Sequence, residues 1–384
     1  MKSQEIIERC SEIYTDMDFG YIKDWRARTG GGAIGILPIY FPKEVIHAAG
    51  VLPVEVYGGG DMVDIVKGDS YYQSYICHMP RSIIDLGLSG KLDVLDGLIC
   101  PFTCDVVRNF SGVYKLLFPD KYSRFFDQPQ NFDPDIGGEY MISQLKEVIA
   151  FLEEKGKKVT TERLNESIGL YNENRALIRK LYDMRSQKPW QVPSHEVYLL
   201  MRAGNIIEVS EHNNFLREYM VTVEELERKP LDNIRVLIIG AFCEQPPLNL
   251  VKVMELSGCY IVDDDFILGN RYLDQDVEIG ENPLKALVDG YLKSNVPSSC
   301  RFEEYKAKEE KLIKLVKERN VEGVVFACAS FCDPALQDIP NYQKKLDEKG
   351  VRYMSFQYSE DTSQFSLIRE QIGTFTDSVK LWGA

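Results

Sequence analysis

Short apolar segments alternate with helical segments in two separate stretches of this chain. In the first stretch, the apolar segments that favour strands are residues 33–41, 51–57, 94–99 and 122–126. In the second stretch they are residues 234–242, 259–262, 323–329 and 353–356. Strands that alternate with helices join a mostly parallel sheet with helices on both faces. The pattern therefore predicts two α/β units with parallel sheets.

The stretch between the two α/β units carries helical periodicity and almost no strand signal, and Lys, Glu, Arg and Leu dominate it. Within the α/β units, helices are predicted at residues 2–17, 43–49, 80–88, 105–117, 248–256, 302–320, 335–348 and 363–381. A chain of this length exceeds what one hydrophobic core usually supports. We therefore expect an α/β domain with an N-terminal helix over residues 1–137, a helical domain over 138–228 and a second α/β domain over 229–384.

Charge and composition argue against several classes of protein. The net charge of -14 over 384 residues opposes nucleic-acid binding, which relies on clustered Lys and Arg against phosphates. The charged amphipathic start and the lack of any run of about 18 apolar residues lead us to expect no signal peptide, no membrane span and a cytoplasmic location. Nine scattered Cys do not resemble the disulfide framework of a small secreted domain.

Three of the cysteines directly follow predicted strands. Cys104 follows VLDGLIC and a PFT loop, Cys243 follows IRVLIIGAF, and Cys332 follows GVVFACASF. Ligands of doubly wound sheets lie beyond the carboxyl ends of the strands, and a helix N-terminus at that position favours a thiolate. Cys77, which lies in SYICHMPRS just before a helix, is a fourth candidate, either as a metal ligand or as a thiol beside one.

Three thiolates from separate loops suit a [4Fe-4S] cluster with one open iron, because soft sulfur ligands select such clusters or zinc. The alternative interpretation is that each cysteine is a small buried hydrophobic residue. We apply that alternative to Cys100 and Cys328, which lie within or at the end of apolar strands. We apply it also to Cys10, Cys259 and Cys300, which have no strand-end context.

Other motifs in the sequence argue against further kinds of site. Gly30, Gly32 and Gly35 match the spacing of a dinucleotide fingerprint, but they lead into a strand instead of a helix. No phosphate-binding loop of the form G-x-x-x-x-G-K-[ST] occurs, so any ATP in the reaction would bind a different chain. The four His residues show no paired spacing for a zinc hydrolase.

The cysteine contexts also carry a resemblance to a known family. The stretches concerned are YQSYICHMPRSIIDLGLSG, PFTCDVVRNFSGVYKLLFP, FCEQPPLNLVKVMELSGCYIVDDD, SFCDPAL and the ending REQIGTFTDSVKLWG. They resemble the smaller cluster-binding subunit of the ATP-dependent benzoyl-CoA reductases, and this resemblance extends over the whole chain. The same family includes the 2-hydroxyacyl-CoA dehydratases and the double-cubane cluster proteins.

The resemblance implies two Rossmann-like or flavodoxin-like domains, a helical domain and a cubane cluster between them. It implies as partners a homologous larger cluster-binding subunit, an ATP-hydrolysing activator with its own cluster, and reduced ferredoxin. The implied reaction reduces the ring of an aryl-CoA to a cyclic dienoyl-CoA. Three alternatives stay open: a 2-hydroxyacyl-CoA dehydratase subunit, a double-cubane reductase component, and an electron-transfer subunit without a substrate site.

The resemblance also assigns individual residues. Cys104, Cys243 and Cys332 fall on the cluster cysteines of the family, and Cys77 falls on a further recurrent position. Whether three or all four of them bind iron stays open. The candidates for a catalytic acid are His78 and Glu244, which neighbour these cysteines. For Glu244, the alternative role is to cap backbone amides at the start of a helix.

Overall fold

Two parallel sheets organise the chain, as the alternating pattern predicts. The computed structural model describes residues 2–301, 307–359 and 361–382. The first α/β unit consists of α1 (Ser3–Thr15), α2 (Gly20–Thr29), β1 (Ala33–Ile36), α3 (Lys43–Ala48), β2 (Leu52–Glu55), α4 (His78–Leu88), β3 (Gly97–Pro101), α5 (Asp105–Leu117) and β4 (Tyr122–Phe126). Its strands lie in the order β2, β1, β3, β4, and all neighbours are parallel.

Four helices follow the first unit. They are α6 (Glu139–Glu154), α7 (Thr161–Gln187), α8 (Ser194–Ala203) and α9 (Val209–Val223). The first helix of the chain, α1, packs against α8 and α9. No helix in the described part of the chain is both long enough and apolar enough to cross a membrane.

The second α/β unit repeats the layout of the first. It consists of β5 (Ile234–Ile239), α10 (Leu248–Leu256), β6 (Cys259–Asp264), α11 (Pro283–Lys293), α12 (Ala307–Glu318), β7 (Gly323–Ala329), α13 (Asp333–Lys349), β8 (Arg352–Tyr358) and α14 (Phe365–Trp382). Its all-parallel strand order, β6, β5, β7, β8, corresponds to that of the first sheet. In both sheets the chain adds strands first on one side and then on the other, which opens a crevice beyond the carboxyl ends of the two central strands.

Most predicted elements are confirmed, and those at residues 105–117, 122–126, 248–256 and 323–329 keep their predicted bounds. The predicted strand 33–41 is too long, because Ile39 and Tyr40 have φ angles of 74° and 69°, outside the extended region. The helices α2 and α11 were not predicted. Residues 302–306, the start of the predicted helix 302–320, lie outside the described residues. The domain boundaries stay a prediction.

Buried ion pairs connect the long helix α7 to both sheet units. Arg175 donates to the Glu44 carboxylate in α3 across 2.6 Å, and Arg185 donates to Asp264 at the end of β6, also across 2.6 Å. All four side chains are buried. A buried charge without a partner is costly, so these pairs fix α7 between the two α/β units.

Candidate metal centre

Five cysteines line one cavity at the carboxyl ends of the two sheets. The cavity has a volume of about 310 Å³. Its thiols come from Cys77, Cys104, Cys243, Cys300 and Cys332. The structure therefore brings together the four cysteines predicted from the sequence, which come from both α/β units, and adds Cys300 as a fifth.

Three of the five cysteines occupy the residue immediately before a helix. Cys77 precedes α4, Cys104 precedes α5 and Cys332 precedes α13. The free N–H groups and the positive dipole end of a helix stabilise a thiolate at this position. For Cys104 and Cys332, the preceding strands β3 and β7 end at the same side of their sheets, as predicted for a doubly wound fold.

Cys243 lies in the loop after β5, and that loop has a constrained backbone. Gly240 has a φ of +107°, and a Cβ atom at this position would lie 2.3 Å from the sulfur of Cys328. The Asp265 carboxylate accepts the N–H groups of Gly240 and Ala241 at 2.6 and 2.9 Å. The loop is therefore held in one conformation, with Cys243 in the cavity wall.

Cys300 belongs to the segment after α11 and lines the cavity, although its sequence context led us to interpret it as a packing residue. Its N–H donates to the Ser298 hydroxyl at 3.2 Å. The neighbouring Arg301 is buried, donates to the Leu292 carbonyl at 3.1 Å and lies 4.5 Å from the Phe132 ring centroid. No predicted strand precedes Cys300, so the strand-end pattern that identifies the other thiols misses it.

The remaining cysteines do not line this cavity. Cys100 lies within β3 and Cys328 within β7, both fully buried in their sheets. Cys10 in α1 and Cys259 at the start of β6 are buried as well. These placements agree with the interpretation that the four are packing residues.

Burial raises the pKa of every thiol in the cavity. The pKa of Cys332 rises to about 12, and those of Cys77, Cys243 and Cys300 rise well above the ordinary value. For Cys104, burial also raises the pKa, although the nearby backbone N–H groups of residues 106 and 107 offset part of the rise. The thiols are therefore protonated at neutral pH in the absence of metal. A bound metal has to displace these protons, so its affinity increases as the pH rises.

The cavity offers a sulfur-rich donor set, which suits iron–sulfur clusters or zinc. Within the described residues, no three His, Cys, Asp or Glu side chains converge closely enough to share a single metal ion. A cubane cluster does not require that convergence, because each thiolate binds a different iron atom. Five thiols around one cavity, with no His in its lining, form a soft donor set of the kind that selects iron–sulfur clusters.

The two candidates for a catalytic acid occupy different places. His78, the first residue of α4, is buried and does not belong to the cavity lining. Glu244 does line the cavity, and its carboxylate accepts the N–H of Met79 at 3.0 Å. Glu244 therefore caps a helix, as the alternative interpretation holds, but the helix is α4 of the other α/β unit.

Comparisons with known proteins identify relatives along the whole chain. Residues 38–379 match the family described as 2-hydroxyglutaryl-CoA dehydratase, D-component. The chain is 46% identical to a benzoyl-CoA reductase subunit of Thauera aromatica, over 100% of both chains. It is 26% identical to the (R)-phenyllactyl-CoA dehydratase beta subunit of Clostridium sporogenes, over 94% of this chain and 95% of that protein. The beta subunit of lactoyl-CoA dehydratase from Anaerotignum propionicum is 27% identical over 92% and 93%. These matches confirm the resemblance inferred from the cysteine contexts.

Proposed function

The chain belongs to the 2-hydroxyglutaryl-CoA dehydratase, D-component, family, and on that premise we propose that it is the iron–sulfur subunit of an ATP-dependent benzoyl-CoA reductase. The proposed reaction reduces the aromatic ring of an aryl-CoA to a cyclic dienoyl-CoA with electrons from reduced ferredoxin. The observation that carries this choice is the 46% identity over the full length of both chains to a benzoyl-CoA reductase subunit. Identity to the dehydratase subunits is 26 and 27%.

The five-thiol cavity supports a [4Fe-4S] cluster as the cofactor of this subunit. We propose that Cys104, Cys243 and Cys332 bind three of its iron atoms. Cys77 is our candidate for the fourth iron, and Cys300 competes with it, because a cubane has only four iron atoms. When bound, such a cluster transfers single electrons at low potential.

One part of the cavity lining is apolar and excludes water on that side of the thiols. Met79, Phe102, Phe242 and Val107 line the cavity beside the thiols, and all but Phe102 are buried. A dry, apolar surrounding strengthens every electrostatic interaction inside it and protects reactive species from water. These apolar side chains therefore shield one side of the site, whereas the exposed residues Asp105, Phe331 and Asp333 line its solvent side.

ATP hydrolysis in this proposal takes place on another chain. The sequence contains no phosphate-binding loop, and the relatives are named as subunits of multi-subunit enzymes. We propose a homologous larger cluster-binding subunit as the direct partner. An ATP-hydrolysing activator, with its own cluster, would deliver the ferredoxin electrons to this pair.

A second candidate function is that of a 2-hydroxyacyl-CoA dehydratase subunit. It is favoured by the family match over residues 38–379 and by similarity to dehydratase beta subunits along more than nine tenths of the chain. A double-cubane reductase component is the third candidate, because the cavity has one thiol more than a single cubane can bind. Substrate turnover distinguishes the reductase from the dehydratase, and the iron content per chain distinguishes the double-cubane component from both.

We expect benzoyl-CoA to be reduced only when this chain is combined anaerobically with its homologous subunit, the ATP-hydrolysing activator, ATP and reduced ferredoxin. The physical reason is that the sequence contains no phosphate-binding loop, so in this proposal ATP hydrolysis on another chain drives the electrons to the required potential. Product formation is measured by chromatography of the acyl-CoA pool. Omission of ATP serves as the control. Ring reduction by the isolated chain with ferredoxin alone would contradict the proposal, and elimination of water from a 2-hydroxyacyl-CoA in place of ring reduction would favour the dehydratase.

A further inference from the structure

The carboxylate of Glu244, a residue of the second α/β unit, contacts the first α/β unit at the wall of the five-thiol cavity. Glu244 belongs to the loop after β5. Its Oε2 atom accepts a hydrogen bond from the backbone N–H of Met79, in the first turn of α4, at 3.0 Å. Cys77, at the N-cap of α4, makes no side-chain cap of its own. The start of the helix that carries Cys77 is thus capped by a residue from the opposite unit.

The loop that carries Glu244 is fixed on several sides. The Glu244 carbonyl accepts the hydroxyl of Tyr358, a buried residue in β8, at 2.5 Å. Two residues further along the loop, the Pro246 carbonyl accepts a hydrogen bond from the hydroxyl of Tyr198 in α8 at 2.7 Å. Together with the Asp265 contacts at the start of the loop, these bonds hold the Glu244 side chain against α4.

The same carboxylate also lies close to the thiols. Glu244 lines the same cavity as Cys77 and Cys332, and only 9% of it is exposed. In a buried setting, a fixed negative charge opposes the arrival of a further electron, because charges interact strongly where water is excluded. Net charge and hydrogen bonding around a cluster set its reduction potential.

We propose that Glu244 is a positioning residue that holds Cys77 and α4 against the metal site and lowers the reduction potential of the cluster. The inference rests on the proposed function, since it requires the cluster. The hydrogen bond to Met79 holds α4 in place, and the negative charge lowers the reduction potential of the cluster. The two tasks can be separated, because a glutamine side chain keeps an acceptor oxygen for Met79 and lacks the charge.

The test compares anaerobic redox titrations of Glu244→Gln, Glu244→Ala and the wild-type chain, each with its iron content and thermal unfolding midpoint. We expect Glu244→Gln to keep the wild-type iron content and midpoint, while its cluster titrates at a less negative potential. Glu244→Ala should show the less negative potential and also a lower thermal unfolding midpoint, since the start of α4 loses its cap. An unchanged potential in Glu244→Gln would overturn the inference.

Glu255→Gln is the matched control. Glu255 also accepts the first N–H of a helix, that of Ser194 in α8, at 2.5 Å, and it pairs with the His195 ring at 2.6 Å, but it does not line the five-thiol cavity. Its replacement should leave the potential unchanged, and an equal shift in both Gln variants would overturn the site-specific role of Glu244. Iron-free wild-type protein would overturn the proposed function itself. Failure of the proposed role of Glu244 can therefore be distinguished from failure of the proposed function.

Discussion

Replacement of Cys104, Cys243 or Cys332 by Ser is expected to remove the cluster iron from the anaerobically purified protein. The three cysteines follow β3, β5 and β7, line one cavity and come from both α/β units. A serine hydroxyl is a poor replacement for a thiolate at an iron site, because soft sulfur ligands select iron–sulfur clusters. Iron and sulfide analysis, together with the visible absorption of the cluster, measures the loss.

The other cysteines provide controls for that series. Cys10→Ser and Cys259→Ser should keep the wild-type iron content, because both residues are buried away from the cavity. At least one of Cys77→Ser and Cys300→Ser should also keep its iron, since at most four of five thiols can bind a cubane. Normal iron content in Cys104→Ser or Cys332→Ser would show that the positional argument is wrong.

Arg185→Ala is expected to lower the free energy of unfolding by about 3–5 kcal/mol. Arg185 is fully buried, and its guanidinium lies 2.6 Å from the Asp264 carboxylate, which is buried as well. Removal of the arginine leaves a buried carboxylate with fewer partners, although the Tyr182 hydroxyl and the Phe266 N–H still donate to it at 2.9 Å each and the Arg271 guanidinium lies 3.5 Å away. The loss is measured by denaturant unfolding of the metal-free chain, monitored by circular dichroism.

Arg179→Ala in the same helix is the matched control. Arg179 pairs with Asp276 at 2.7 Å, but 41% and 57% of the two side chains are exposed. An exposed pair contributes less than about 1 kcal/mol. If the two variants lost the same stability, the buried pair would not hold α7 to the second sheet as we describe.

Much of the fold follows from local sequence patterns. The strands β4 and β7 and the helices α5 and α10 have the bounds that apolar runs and helical periodicity predict, because these patterns reflect which face of an element is buried. The strand β1 is shorter than its apolar run, since the left-handed backbone of Ile39 and Tyr40 leaves no mark on hydrophobicity. The helix α11 begins at Pro283, a start signal that was available in the sequence.

The candidate site could be predicted only as far as each thiol has a local signature. Cys104, Cys243 and Cys332 share a position after a strand, and the rule for doubly wound sheets brings such positions together. Cys300 has no such signature, because its place depends on how the segment after α11 packs and on the burial of Arg301. The role of Glu244 likewise depends on a contact between residues 165 positions apart.

Metal analysis of the anaerobically purified protein shows whether the five-cysteine cavity holds an iron–sulfur cluster. We expect about four iron and four acid-labile sulfide per chain, with a brown chromophore that bleaches on reduction. These values follow from a single cubane bound by the thiols of the five-cysteine cavity. Stoichiometric zinc in a colourless protein would contradict the account.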